Sequence, residues 1–169
     1  METTTSTGIT VIRTDSGNPD FRALVALLDA DMAQRNGDEQ EFYGQFNGLA
    51  PIRHVVLARA GGRPLACGAF KEFAARTVEI KRMFTHPDGR RQGLAAAVLA
   101  ELEAWCAELG YTTCVLETGV RHQEAIALYR KSGYTIIPNY PPYEGVEGSV
   151  CMQKLLPNEP QNKEQGTAE

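Results

Sequence analysis

The chain predicts a mixed α/β fold, one β-sheet flanked by helices and antiparallel in its first half. Three observations carry this. β-branched and apolar runs alternate with helical periodicities along the middle of the chain. Three strand-like runs, 54–60, 65–72 and 76–85, follow one another across short turns, which makes neighbours antiparallel. One strong amphipathic helix then separates two further runs, so 77–117 reads as a strand–helix–strand unit.

The elements follow in order. Ile9, Thr10, Val11 and Ile12 begin a first strand. Asn18-Pro19-Asp20 is a helix start, and Phe21, Leu24, Val25, Leu27, Leu28 and Met32 follow at helical spacing. Residues 37–48 are polar with scattered aromatics and read as a second short helix. The run HVVLARA at 54–60 is a strand, Gly61-Gly62-Arg63-Pro64 a tight turn, and LACGAFKE at 65–72 the returning strand. A third strand runs to Thr85, and Pro87-Asp88-Gly89 breaks it. From Gly93 a helix extends to about Leu109, with Leu94, Val98, Leu102, Trp105, Cys106 and Leu109 on one face. Gly110 stops it. Residues 111–117 form a nearly apolar strand, 123–132 a helix ended by Gly133, and 134–137 a strand. A Pro-rich loop at 138–148 leads into the last strand, 149–155. The order is β-α-α-β-β-β-α-β-α-β-β, in one domain over 8–156, with a disordered lead at 1–7 and a disordered tail at 157–169.

Composition narrows the function. A net charge of −4 argues against a dedicated nucleic-acid binder, which usually shows a basic face, and suits cationic substrates. Cys67, Cys106, Cys114 and Cys151 form no C-x-x-C pair and sit in apolar stretches, as small buried hydrophobes of a reducing compartment do. No apolar run approaches the roughly 20 residues of a membrane span, and 1–7 lacks a signal pattern. A cytoplasmic protein without membrane or nucleic-acid partners is expected, and no metal site is visible.

The chemistry concentrates in EIKRMFTHPDGRRQGLA at 79–95, where a strand gives way to a basic, Gly-containing loop and then a helix. The first N–H groups of a helix have no intrahelical partners, and the helix dipole adds positive charge beside them. Gly93 allows close approach of backbone to a phosphate, and Arg90 and Arg91 supply formal charge. The bland alternative is an ordinary turn with two solvated arginines. The loop is neither a G-x-x-x-x-G-K-[ST] loop nor a G-x-G-x-x-G fingerprint.

The run Arg90-Arg91-Gln92-Gly93-Leu94-Ala95 resembles the [QR]-x-x-G-x-[GA] loop of the GNAT superfamily of N-acetyltransferases. A second block, EAIALYRKSGY at 124–134, resembles the A-x-x-L-Y-x-x-x-G-F/Y helix of that family. Both blocks stand at the family's separation, and the likeness covers nearly all of 8–156. It implies an acetyl-CoA-dependent N-acetyltransferase acting in a ternary complex, with no metal and with a homodimer as one allowed assembly, for which the last strand would offer an edge.

The resemblance also implies residue roles. The amides of Arg90, Arg91, Gln92, Gly93, Leu94 and Ala95 would hold the coenzyme pyrophosphate. Backbone of Met83, Phe84 and Thr85 would bind the pantetheine arm and stabilise the oxyanion. The strand ending near Thr118 and Gly119 would splay from the one bearing Glu79. Tyr129, by itself a packing residue on a helix face, matches the tyrosine that protonates the departing thiolate. Glu79, eleven residues before Arg90, matches the carboxylate that serves some members as base. A surface pair with Lys81 is its bland reading, and Glu117 is a second candidate base. Cys114 as a covalent nucleophile lacks an activating partner.

The acceptor is less legible. Tyr140, Tyr143 and Glu144 in the 138–148 loop, with Glu39, Glu41 and Tyr43 earlier, would shape a pocket for a small polar amine, an amino acid or a peptide. Two other classes stay open: a non-catalytic acyl-CoA-binding or sensing module, and a nucleotide-phosphate binder on an unrelated scaffold.

Overall fold

The computed structural model describes residues 2–4, 8–36 and 51–157. They fall into two compact units, 1–71 with 81–102 and 72–80 with 103–169. Strands β4 (Arg63–Ala74) and β5 (Thr77–Thr85) and helix α2 (Leu94–Glu108) run through both.

The first unit is a meander covered by a helix. Strand β2 (Ile9–Thr14) pairs antiparallel with β1 (Glu2–Thr4) on one side and β3 (His54–Ala60) on the other. β3 returns antiparallel into β4, Ala60 facing Arg63. Gly61 and Gly62, at φ 58° and 82°, make the two-residue loop, a geometry that suits glycine and matches the twist of a hairpin. Helix α1 (Pro19–Asn36) starts where the sequence places it. The Asn18 side-chain oxygen accepts from the N–H groups of Asp20 and Phe21 at 2.8 and 3.0 Å, with Pro19 opening the helix. Phe21, Leu24 and Leu28 then pack with Val55, Leu57, Cys67, Ala69 and Phe84 in one apolar cluster. The first turns of α2 pack as tightly. A Cβ on Gly68 of β4 would meet Val98 Cγ1 at 2.8 Å.

In the second unit β5 and β6 (Thr113–Gly119) are parallel from Thr77↔Thr113 to Glu79↔Val115. The strand–helix–strand reading of 77–117 therefore holds. β6 pairs antiparallel along its whole length with β8 (Ser149–Leu155), and β8 also carries β7 (Thr135–Ile137). Helix α3 (Gln123–Lys131) ends with the Tyr134 N–H reaching back to the Tyr129 carbonyl at 2.9 Å. Glu103 ties helix to sheet, accepting from the Tyr134 hydroxyl at 2.9 Å and from Lys154 Nζ at 2.8 Å.

Several expectations change. Glu2–Thr4, expected in a disordered lead, is a strand in register with β2. β8 is not an exposed edge, because the three residues of β7 pair outside it. Leu27 and Leu109, placed on buried helix faces by periodicity, are 44% and 50% exposed. Leu109 lies one residue beyond α2, its N–H still bonded to the Trp105 carbonyl at 3.1 Å. The helix expected at 37–48 and the tail from 158 lie outside the described residues. All four cysteines are buried and free, and burial pushes the Cys67 thiol up to about 12.

Candidate active site

In the first unit, β5 ends in a braced turn. The His86 N–H donates to the Leu65 carbonyl at 2.7 Å, and His86 Nδ1 accepts from the Asp88 N–H at 2.9 Å. Asp88 is held in turn by Arg63 at 3.1 Å. Gly89 is buried under Leu65 and Leu94, and a Cβ there would meet both at 2.8 Å. Arg90, Arg91, Gln92 and Gly93 are exposed, whereas Leu94 is buried as the anchor of α2. Arg90 Nε donates back to the Thr85 carbonyl at 3.3 Å, and Gln92 to the Asp88 carbonyl at 3.2 Å. Arg91 and Gly93 take left-handed backbone, φ 66° and 79°. A Cβ on Gly93 would meet nothing within 4 Å, so conformation and not packing calls for glycine there. No acidic residue lies in the first turn of α2. The loop is thus an open, cationic helix entrance, suited to a diphosphate.

On β5 just before this turn, Arg82 has φ 61°, a left-handed residue inside a strand and the mark of a local bulge. Its guanidinium, 7% exposed, pairs with Asp29 at 3.0 Å, and its carbonyl accepts the Cys67 thiol. Met83 and Thr85 are half-buried, and Phe84 is in the apolar cluster.

The second unit gathers the ionisable groups. Glu79 is only 7% exposed, and Oε2 accepts the Tyr140 hydroxyl at 2.9 Å. Glu117 Oε2 accepts from the buried Ser149 hydroxyl at 2.8 Å. Cross-strand partners share a sheet face, so Glu79 opposite Val115 and Glu117 opposite Cys151 lie on one face of this part of the sheet. Burial raises the Cys151 thiol, and Glu117 and Glu79 both add to the rise against a backbone hydrogen bond that lowers it. Thr118 alternates to the opposite face and is 9% exposed. Tyr129, in the last turns of α3, is 6% exposed and packs edge-on against Tyr134 at 5.8 Å. Burial first, then the charge of Glu117, pushes its phenol well above the ordinary tyrosine value. Cys114 is fully buried, as a packing thiol is. Among the described residues no cluster of three or more His, Cys, Asp or Glu is built for a metal ion, and no helix is long and apolar enough to cross a membrane.

Residues 21–134 match the model of the acetyltransferase (GNAT) family. The chain belongs to the GNAT family. It is an acetyl-CoA-dependent acyltransferase. The fold matches a Klebsiella pneumoniae protein assigned as an acyl-CoA N-acyltransferase, 31% identical, at TM-score 0.74 over 89% of this chain and 99% of that one. An IAA acetyltransferase of Azospirillum brasilense is 33% identical over 107 residues, 63% of this chain and 70% of the relative. A GNAT acetyltransferase of Elizabethkingia anophelis, solved with acetyl-CoA bound, shares the fold at TM-score 0.64, 20% identity, and 88% and 99% coverage.

Within this GNAT chain, sequence reasoning missed the partners of its own candidates. Tyr140 was expected only to shape the acceptor loop, and Ser149 only to open a strand. Neither contact has a local signal, because 61 and 32 positions separate the bonded residues. Gly89 was read as a strand breaker, and its packing role depends on Leu65 arriving from another strand. Of the acceptor-pocket candidates, Glu39, Glu41 and Tyr43 lie outside the described residues. Tyr143 is buried beside Tyr140, whereas Glu144 is exposed.

Proposed function

We propose that this enzyme moves the acetyl group of acetyl-CoA directly to the amine of a small molecule, an amino acid or a peptide. The observation that carries the reading is the Arg90–Ala95 segment: an exposed, doubly cationic loop entering a helix whose first turn holds no carboxylate, in a chain of the GNAT family. The acetyl-CoA found in the Elizabethkingia anophelis relative supports the donor.

In this reading the amides of residues 90–95 hold the pyrophosphate, with Arg90 and Arg91 as counter-charges. Backbone groups of Met83, Phe84 and Thr85 bind the pantetheine arm, and one N–H there stabilises the oxyanion. Thr118 borders the coenzyme. The acceptor arrives as an ammonium and loses a proton to Glu79. Its lone pair attacks the thioester carbonyl, the nitrogen gives up its second proton to solvent, and the tetrahedral intermediate collapses by breaking the C–S bond. Tyr129 gives its proton to the departing thiolate and regains one from solvent or the base. The raised phenol of Tyr129 keeps that proton available at neutral pH. Four free, buried cysteines support a reducing, cytoplasmic setting.

Isothermal titration with acetyl-CoA, with ATP and NAD as controls, tests the donor, and thiol release in a panel of amines tests transfer. Selective acetyl-CoA binding with thiol release from at least one amine is the expected result. Binding without release from any amine would make the chain an acyl-CoA sensor. Equal binding of ATP would remove the reading of the loop.

A further inference from the structure

The loop between β7 and β8 is built to place one phenol. The Asn139 side-chain amide donates to the carbonyls of Tyr143, Val146 and Ser149 at 3.1, 3.2 and 3.1 Å. The Tyr143 N–H closes a turn onto the Tyr140 carbonyl at 2.7 Å. The Tyr140 ring sits edge-on to Phe73 of β4 at 4.7 Å and to Tyr143 at 5.9 Å. A ring gripped on two sides over a clamped backbone loses little entropy when its hydroxyl makes a bond. That bond goes to Glu79 Oε2 at 2.9 Å. Burial, and then the charge of Glu79, pushes the Tyr140 phenol far up, so it stays a donor through neutral pH.

We propose that Tyr140 is a positioning residue for catalysis, holding the Glu79 carboxylate oriented to take the acceptor's proton. The proposal rests on the reading of Glu79 as general base. The N–H bond of the ammonium breaks and its proton passes to Glu79, while Tyr140 keeps its own. The other titratable groups on this face are Cys151 from β8, Glu117 from β6 and, two positions along β5, Lys81. Phe keeps the ring that Phe73 and Tyr143 grip.

The test compares Tyr140→Phe, Glu79→Gln and the double variant, with acetyl-CoA and a panel of a short peptide, a diamine and an aminoglycoside. In Y140F, kcat falls roughly tenfold, the scale of one hydrogen bond to a charged group. KM for acetyl-CoA holds, so the loss is confined to the rate. The double variant is no slower than E79Q, since both changes act through one carboxylate. A fluorotyrosine at position 140, which keeps the hydroxyl and nearly the same shape, restores the rate that Y140F loses. A wild-type rate in Y140F beside a crippled E79Q overturns the proposal and leaves the base standing. A fully active E79Q removes the base itself. If no amine of the panel turns over, the chemical shift of the labelled Glu79 carboxyl carbon at neutral pH reads the contact directly, and an identical shift in wild type and Y140F overturns the proposal.

Discussion

Tyr140 donates its hydroxyl to Glu79 across 61 positions of sequence and 2.9 Å of space. The contact brings a carboxylate on β5 under the control of the loop before β8. If Glu79 is the base, Glu79→Gln lowers kcat by roughly a hundredfold or more, with acetyl-CoA affinity unchanged. Raising the pH restores part of the rate, because solvent then deprotonates the amine. Steady-state rates across pH check this, and an unchanged profile moves the base role to Glu117.

Tyr129 offers a different signature. Its phenol is buried, and Glu117 adds charge beside it. Tyr129→Phe preserves the packing against Tyr134 and removes only the proton. Turnover drops by on the order of a hundredfold while calorimetric affinity for acetyl-CoA stays level. Wild-type turnover in this variant would leave Tyr129 as a packing residue.

Gly89 and Gly93, on either side of Arg90–Gln92, separate binding from stability. Gly93→Glu places bulk and negative charge at the entrance of α2, and acetyl-CoA binding disappears in calorimetry while the circular dichroism spectrum persists. Retained micromolar affinity would remove the loop assignment. Gly89→Ala instead forces a Cβ to within 2.8 Å of Leu65 and Leu94. Overpacking of this kind costs about 1–3 kcal/mol, read as a lower urea midpoint.

Alkaline pH should unfold the protein through its tyrosines. Tyr129, Tyr134 and Tyr140 all have phenols raised above the ordinary value of 10.0, with burial the first cause in each. A group raised in the folded state contributes stability that is complete below its unfolded value. That stability is lost as pH climbs toward the folded value, because the unfolded chain ionises first. The urea midpoint is therefore flat below pH 10.0 on this account and falls above it. Tyrosinate absorbance should rise together with loss of circular dichroism. Early, reversible ionisation of all the tyrosines in folded protein would contradict the burial.

Much of the fold was legible because local physics wrote it. Asn18-Pro19 caps α1 by a side chain that reaches two and three residues ahead. Gly61-Gly62 forms a hairpin because both residues need left-handed backbone. The left-handed turn at Gly93 into α2 was legible for the same reason, since Gly93 and the start of α2 are neighbours in sequence. Periodicity misplaced Leu27 and Leu109, because a helical spacing names a face and not the extent of what covers it.

The sequence by itself determined the mixed α/β class, the hairpin from β3 to β4, the β5–α2–β6 crossover and the loop at 90–95. Each depends on interactions between residues a few positions apart. Only the tertiary structure decided which side chains meet: Tyr140 with Glu79, Ser149 with Glu117, and Leu65 over Gly89. It also decided that β7 shields β8, which a strand's own residues do not announce. Such pairings depend on the register of strands far apart in the chain. Sheet hydrogen bonds are made by the same backbone groups in every residue, so local sequence carries no mark of the partner they will choose.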